Sequence, residues 1–388
     1  MRLGVYVDLV FRRDGAGLSA DRAFVDFITG LAPSLEELVF FGRLHPGAGR
    51  APHALPRDGV RLAALPFYHG AASPGEVIKS VRGSLEVAEQ ELDALDAVWL
   101  FGPHPLALAL ARAAHAHRKP IFLGVRQNLP RYAAARFSGA RRIWALPAAF
   151  ALELAFRRLA RHVPSVVVGE ELARKYAGGA PTLATGFSLV RDADLVPADS
   201  ALARPWEGEL RLLTVGRLSP EKNPLLLPEI IARLRDVEPR WRLSIVGEGP
   251  LAHSLSAQAA ASGLGGALEL LGYIPSGPAL WEHYRSSHAF LHVSRTEGLP
   301  QVIFEAQAAG LPVVATDVGG VRAALGDGSS GLIVSPFDAG AAATAVDRLR
   351  TDPELRRRLV EAGARNAASE TQEKQLARVL RFFRANLT

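Results

Sequence analysis

The chain reads as an α/β protein with two doubly wound, mostly parallel sheets. Three observations predict this. Strand-like and helix-like segments alternate from end to end. At 388 residues the chain exceeds one ordinary core, and domains of roughly 150 residues make two or three units the expectation. The stretch 189–208, VRDADLVPADSALARPWEGE, is polar, lacks periodicity and carries Pro197 and Pro205. It therefore reads as a linker between a first domain, 1–188, and a second, 209–369, with a last helix over 370–388.

In the first half, strands are expected at Leu3–Val7, Glu37–Phe41, Val60–Ala64, Ala97–Phe101, Pro120–Val125 and Ser165–Gly169. Helices are expected near 20–31, 73–94, 105–117 and 147–162. The second half repeats the rhythm, with strands at Leu210–Val215, Arg242–Val246, Leu268–Leu271, Ala289–Val293, Pro312–Thr316 and Gly331–Val334. Its helices fall near 224–236, 250–262, 279–286, 300–310, 338–350 and 353–367. Two such domains imply a cleft, and ligands of these sheets bind beyond the carboxyl ends of the strands.

Composition narrows the function classes. Hydrophobic residues make up 48% and charged residues 22%, so the chain is neither disordered nor fibrous. It has no cysteine, which removes disulfides, thiolate metal sites and cysteine nucleophiles and suits a reducing compartment. The start, MRLGVYVDLVFRRDG, does not read as a signal peptide. No apolar run reaches the ~18 residues of a membrane span, so a cytoplasmic location is expected, with peripheral contact on the inner membrane face open. The net charge of +6 is uneven. Residues 1–188 hold 23 Lys+Arg against 16 Asp+Glu, and the remainder holds 22 against 23. The excess suggests an acidic partner or anionic surface on the N-terminal side. Zinc-finger spacing, an aromatic RNA-binding signature and a basic tail are all missing, so no nucleic-acid partner is expected.

Several motifs are weak. Gly326-Asp-Gly328-Ser-Ser-Gly331 fits the dinucleotide pattern but precedes a strand instead of following one, so it reads as a turn. His283 and His288 lie five apart, a poor spacing for paired helical ligands, and no metal site is expected. Gly247-Glu-Gly249-Pro250 follows a strand and precedes a helix. It is either a tight turn or a backbone approach to a ligand.

Two segments are stronger. In 288–320 a buried strand ends at Ser294 and a loop carries Glu297 and Gly298. Pro300 then opens a helix that holds Glu305 and stops at Gly310. Two carboxylates thus frame a helix N-terminus, whose free N–H groups suit a phosphate. In 212–224 a strand ends at Val215-Gly216, and Arg217 and Lys222 follow on one loop. A planar fork and a point charge together suit a diphosphate.

VGRLSPEKN at 215–223 together with SRTEGLPQVIFEAQAAGLPVVATDVGG at 294–320 resembles the nucleotide-sugar half of family 4 of the retaining glycosyltransferases, on the GT-B fold. That resemblance implies two Rossmann-like domains facing a cleft, with the final helix crossing back to the first. It implies that Arg217 and Lys222, after Gly216, stabilise the leaving nucleoside diphosphate without a metal or other cofactor. It further implies that Glu305 accepts from the ribose hydroxyls and Glu297 from the donor sugar. Backbone around Gly298, Leu299, Pro300, Gln301 and Val302 would meet phosphate or sugar. Gly247 would line the donor, and Tyr273 and Ile274 would stand at the base.

The N-terminal half follows the family less closely. The glycines after the first strand are spaced, Gly15 and Gly17, and suit a donor-phosphate loop or a surface turn. Where the family often has a histidine, this chain has Arg126-Gln-Asn128. Arg126 and His104, the latter in LFGPHP, are the candidate substitutes, although a histidine between two prolines reads equally as an inert loop residue. Residues 126–161 hold eight arginines and one acidic residue, Glu153, with Trp144, Phe150 and Phe156 interleaved. Three readings stand: a helix docked on anionic lipid, a core-facing helix with a basic rim, or a site for an acidic acceptor. The resulting expectation is a retaining glycosyltransferase using a nucleotide-sugar, UDP- or GDP-linked. Its acceptor would be a glycan or lipid-linked hydroxyl in cell-envelope or capsule synthesis, or a small secondary metabolite. A nucleotide-sugar epimerase and a non-catalytic nucleotide-sugar binder are the other classes.

Overall fold

The computed structural model describes residues 1–15, 17–49, 51–69, 74–137 and 139–387. The chain divides into two compact units, Met1–Phe187 with Gln372–Thr388, and Ser188–Thr371.

Unit 1 holds β1 (Arg2–Asp14), β2 (Gly17–Ala20), β3 (Glu37–Leu44), β4 (His53–Ala54), β5 (Val60–Leu65), β6 (Ala97–Gly102), β7 (Ile121–Val125), β8 (Ser165–Val168) and β9 (Thr182–Thr185). Its parallel layer runs β5-β3-β1-β6-β7-β8-β9. The strand order reverses between β1 and β6. β1 continues past the expected end at Val7 because Phe11–Asp14 pair antiparallel with β2, which in turn pairs with β4. β2, β4 and β9 escaped the sequence reading. The first two have four and two residues, too short for alternation to register.

Helix Gln372–Ala385 belongs to unit 1. It buries Leu376, Val379, Leu380 and Phe383, residues at helical spacing. The Phe383 ring lies 4.4 Å from Phe122 and 5.1 Å from Trp99, centroid to centroid. Each such aromatic contact adds about 1 kcal/mol beyond simple burial.

Unit 2 holds β10 (Leu210–Val215), β11 (Trp241–Val246), β12 (Leu268–Gly272), β13 (Ala289–His292), β14 (Val313–Thr316) and β15 (Leu332–Val334). All pair parallel in the order β12-β11-β10-β13-β14-β15. Reversal occurs between β10 and β13. Leu212, Leu243, Leu291 and Val314 are buried within one core with Ile230, Ile231 and Leu234 of helix Leu227–Val237. Full burial of each such side chain is worth roughly 1.5–3 kcal/mol.

The stretch 189–208 is not a free linker. It lies within unit 2 and forms a helix over Ala198–Leu202. The Val196 N–H donates to the Ala308 carbonyl at 2.7 Å. Its polar composition hid this because the anchors are backbone bonds and small residues. The helix expected from 147 instead runs Gly139–Leu159 with Pro147 inside it.

Candidate functional site

The carboxyl ends of β10 and β13 are neighbours, so the sheet brings together two loops far apart in sequence. Thr214, Gly216, Arg217, Lys222, His292 and Ser294 line the crevice between them. The loop after β10 is held by backbone bonds. The Gly216 N–H donates to Val246, Leu218 to Glu248, and Lys222 to Ser219. The Arg295 N–H donates to the Glu221 carbonyl, and Arg295 Nε donates to Asn223 Oδ1 at 3.1 Å. The β13 loop is thus tied to the β10 loop.

Glycine is required at two close approaches. A Cβ on Gly247, whose φ is +145°, would lie 1.9 Å from the Gly216 carbonyl oxygen. One on Gly319, at φ +50°, would lie 2.0 Å from the Glu297 carbonyl oxygen. The turn of Gly247–Pro250 therefore supports the loop that carries Arg217. Of the two readings of this turn, packing is the one seen in the structure, and Gly319 has no motif in the sequence to mark it.

The family resemblance implies a diphosphate at Lys222 and a sugar at Glu297. The structure joins the two residues directly: Lys222 Nζ donates to Glu297 Oε1. His292 Nε2 and Ser294 Oγ donate to the same oxygen at 2.9 and 2.6 Å. Because the carboxylate only accepts, His292 carries a proton on Nε2. The Glu297 side chain is 8% exposed and that of Lys222 26%. Burial alone would push the Glu297 carboxyl up. The Lys222 charge and the His292 hydrogen bond outweigh it and hold the group well below the usual carboxylate range. His292 and Ser294 were missed as site residues; their places five and three positions before Glu297 were the available signal.

Arg217 is half-exposed, with Nη2 3.9 Å from the buried Glu221 carboxylate. Helix Gln301–Ala308 starts after Pro300, one residue later than expected, and no side chain caps it. Its first turn, at Gln301 and Val302, therefore presents backbone N–H groups at the loop Glu297–Pro300. Glu305 accepts from the buried Tyr284 hydroxyl at 2.7 Å. Burial raises the Glu305 carboxyl, and the Tyr284 hydrogen bond only partly offsets this. Tyr284, another residue the sequence reading missed, stands 21 positions away on helix Pro278–Ser286. The Tyr273 N–H donates weakly to Glu248 Oε1 at 3.4 Å. Ile274 packs partly buried on the same core as Val302 and Leu299.

Gly326–Gly328 forms a 3-10 turn ahead of β15. His288 uses both ring nitrogens, Nδ1 accepting from the Arg211 N–H and Nε2 bonding the Pro205 carbonyl.

In unit 1 His104 and Arg126 follow the neighbouring strands β6 and β7, whose ends pair at Gly102 and Val125. Gly15 and Gly17 sit at the tip of the β1–β2 hairpin, where Asp14 pairs Gly17, instead of closing a loop after a short strand. This follows from β1 running on as an antiparallel strand. Arg126, after β7, stacks 3.8 Å over the Phe24 ring. Asn128 caps helix Leu129–Arg136. His104 caps helix Pro105–Ala116 by accepting the Leu106 N–H at 3.2 Å. On helix Gly139–Leu159 the buried residues are Ala145, Ala149, Glu153 and Phe156. Ile143, Trp144, Phe150 and Leu154 are exposed, Ile143 by 77%. Among the described residues, no helix is long and apolar enough to cross a membrane.

Residues 203–366 match the family model for Glycosyl transferases group 1. The match spans most of unit 2. A protein of Frankia alni named D-inositol 3-phosphate glycosyltransferase is 36% identical over 206 residues, 51% of this chain and 50% of that protein. The chain thus spans about half the length of this curated relative. Sucrose-phosphate synthase from Thermosynechococcus elongatus superposes with TM-score 0.75 at 18% identity, covering 99% of this chain and 98% of that one. Anabaena HepE in complex with UDP gives 0.71 at 16% identity, covering 99% and 100%. Two parallel-sheet α/β units of the GT-B glycosyltransferase fold are therefore the architecture of the whole chain.

Proposed function

We propose that the protein is a retaining family 4 glycosyltransferase that moves a sugar from a nucleotide-sugar to a hydroxyl acceptor. The observation that carries this is the Lys222–Glu297 pair at the switch point of a glycosyltransferase group 1 domain. In this reading unit 2 binds the donor. Arg217, Lys222 and the uncapped N-terminus of helix Gln301–Ala308 neutralise the diphosphate. Glu305, oriented by Tyr284, takes the ribose. Three donors converge on Glu297 Oε1, so its Oε2 is the oxygen assigned to the sugar. Neutralisation by protein cations does the work that a metal does elsewhere, and no cofactor is required.

Unit 1 binds the acceptor. The exposed Ile143, Trp144, Phe150 and Leu154, flanked by Arg141, Arg142, Arg157 and Arg158, favour an acceptor presented at an anionic membrane face, as in cell-envelope or capsule synthesis. This makes the enzyme cytoplasmic and peripheral. A small polyol acceptor is the second reading, favoured by the name of the Frankia alni relative.

The test is a screen of UDP- and GDP-sugars for thermal stabilisation and slow hydrolysis, on wild type and Glu305→Ala. A donor that stabilises wild type but not the variant supports the proposal. No shift with any nucleotide-sugar at millimolar concentration refutes it.

A further inference from the structure

Unit 1 holds a second carboxylate where its own strand order reverses. Asp8 lies on β1 at the place where the register with β3 slips, between Tyr6 and Val10. Its Oδ1 accepts from the Tyr68 hydroxyl at 2.7 Å. The same oxygen lies 3.0 Å from Arg43 Nε, off the line of a hydrogen bond. Arg43 is buried, donates to the Tyr68 carbonyl, and sits 4.3 Å over the Tyr68 ring. The arginine charge thus balances the Asp8 charge.

The other oxygen, Oδ2, faces His104 Nε2 at 3.9 Å, too far for a hydrogen bond. His104 is 6% exposed, and its Nδ1 accepts the Leu106 N–H and meets the Tyr6 hydroxyl at 2.8 Å. With Nδ1 accepting, the neutral ring carries its proton on Nε2. That N–H is buried and has no hydrogen-bond partner among the described residues, which is rare for a buried donor. An open donor therefore faces an open acceptor.

One oxygen that both accepts and donates completes both. A water or a ligand hydroxyl does this, accepting from His104 Nε2–H and donating to Asp8 Oδ2, and a polyol hydroxyl would displace the water. An anion offers no proton to Asp8 Oδ2, and a cation offers no lone pair to the His104 N–H. The site also stands at the carboxyl end of the β1/β6 switch point, where ligands of such sheets bind. We propose that Asp8 and His104 are a hydroxyl-binding pair that holds the sugar or polyol acceptor in unit 1. The proposal rests on the glycosyltransferase reading above. Neither composition nor motif pointed to Asp8.

The test measures binding by saturation-transfer NMR, with and without UDP or GDP, against myo-inositol, glucose, mannose and glycerol. It uses wild type, Asp8→Asn and His104→Asn. Asparagine at 104 can still cap the helix but removes Nε2. The expected result is that at least one of these polyols binds wild type and that each variant weakens it tenfold or more. Nucleotide affinity and melting temperature should hold. If Asp8→Asn melts early because Arg43 loses its counter-charge, His104→Asn decides alone. Wild-type polyol affinity in His104→Asn, a parallel loss of nucleotide affinity, or no polyol bound by wild type overturns the pair. Failure of wild type to bind either nucleotide strikes the donor reading in unit 2 instead.

Discussion

The two sheets share one plan and hold their carboxylates differently. At each switch point a carboxylate meets a cation and a histidine. In unit 2, Glu297 has Lys222 and His292 as direct hydrogen-bond donors to one oxygen, so the site is charged and tight. In unit 1, Asp8 is balanced by Arg43 but leaves a 3.9 Å gap to His104. In the proposed reading the first arrangement meets a donor that carries a charged diphosphate beside its sugar, and the second meets a neutral hydroxyl. The same strand order thus supports two chemistries, set by which residue stands where each strand ends.

The largest expected effect breaks the tight site. Lys222→Ala leaves Glu297 buried without its cation. Turnover should fall roughly a thousandfold, in line with loss of a transition-state cation. Stability should fall by about 3 kcal/mol, as for a broken buried pair, read by urea unfolding. Retained turnover would show that the pair is structural only.

Next comes the loop that positions it. Gly319→Ala places a methyl against the Glu297 carbonyl and should cost about 2 kcal/mol, with turnover down at least tenfold. A variant as active as wild type would mean that the Glu297 loop yields freely.

The two unit 2 glutamates should respond oppositely to pH. Glu297 is held below its unfolded value of about 4.3, so its contribution is full above that pH and is lost as pH falls through the folded value. Glu297→Gln should therefore lower the melting temperature near neutrality, with the deficit shrinking in acid. Glu305 is raised, so its charged form is penalised once pH climbs through the folded value. Glu305→Gln should raise the melting temperature near pH 7 and show no gain near pH ~4, while nucleotide affinity drops. Melting curves across pH for both variants check this, and parallel profiles would refute it.

The smallest effect on chemistry falls in unit 1. Trp144→Glu with Phe150→Glu should abolish co-sedimentation with vesicles containing anionic lipid. Turnover on a water-soluble acceptor should stay within about twofold of wild type, because exposed substitutions change stability little. Unchanged vesicle binding would remove the membrane reading.

Legibility in the sequence followed the same divide. Glu297 and Glu305 share one strand-loop-helix segment, and Arg217 and Lys222 share one loop, so local spacing exposes them. Helix Gly139–Leu159 was legible as basic and aromatic, but which face it buries was not. Composition alone cannot tell that Ala145 and Ala149 pack inward while Ile143 and Phe150 face out.

By itself, the sequence determined the alternating βα rhythm, most strand positions and the chemical types at the candidate site. Periodicity and glycine or proline punctuation are local signals. Only the tertiary structure decided that Lys222 pairs with Glu297, that Tyr284 orients Glu305, and that 189–208 packs within unit 2. It alone joined Asp8 to Arg43, Tyr68 and His104, residues from four separate segments of unit 1. Such contacts arise from strand order, and strand order is set by how whole layers bury their apolar faces, a sum no short window contains.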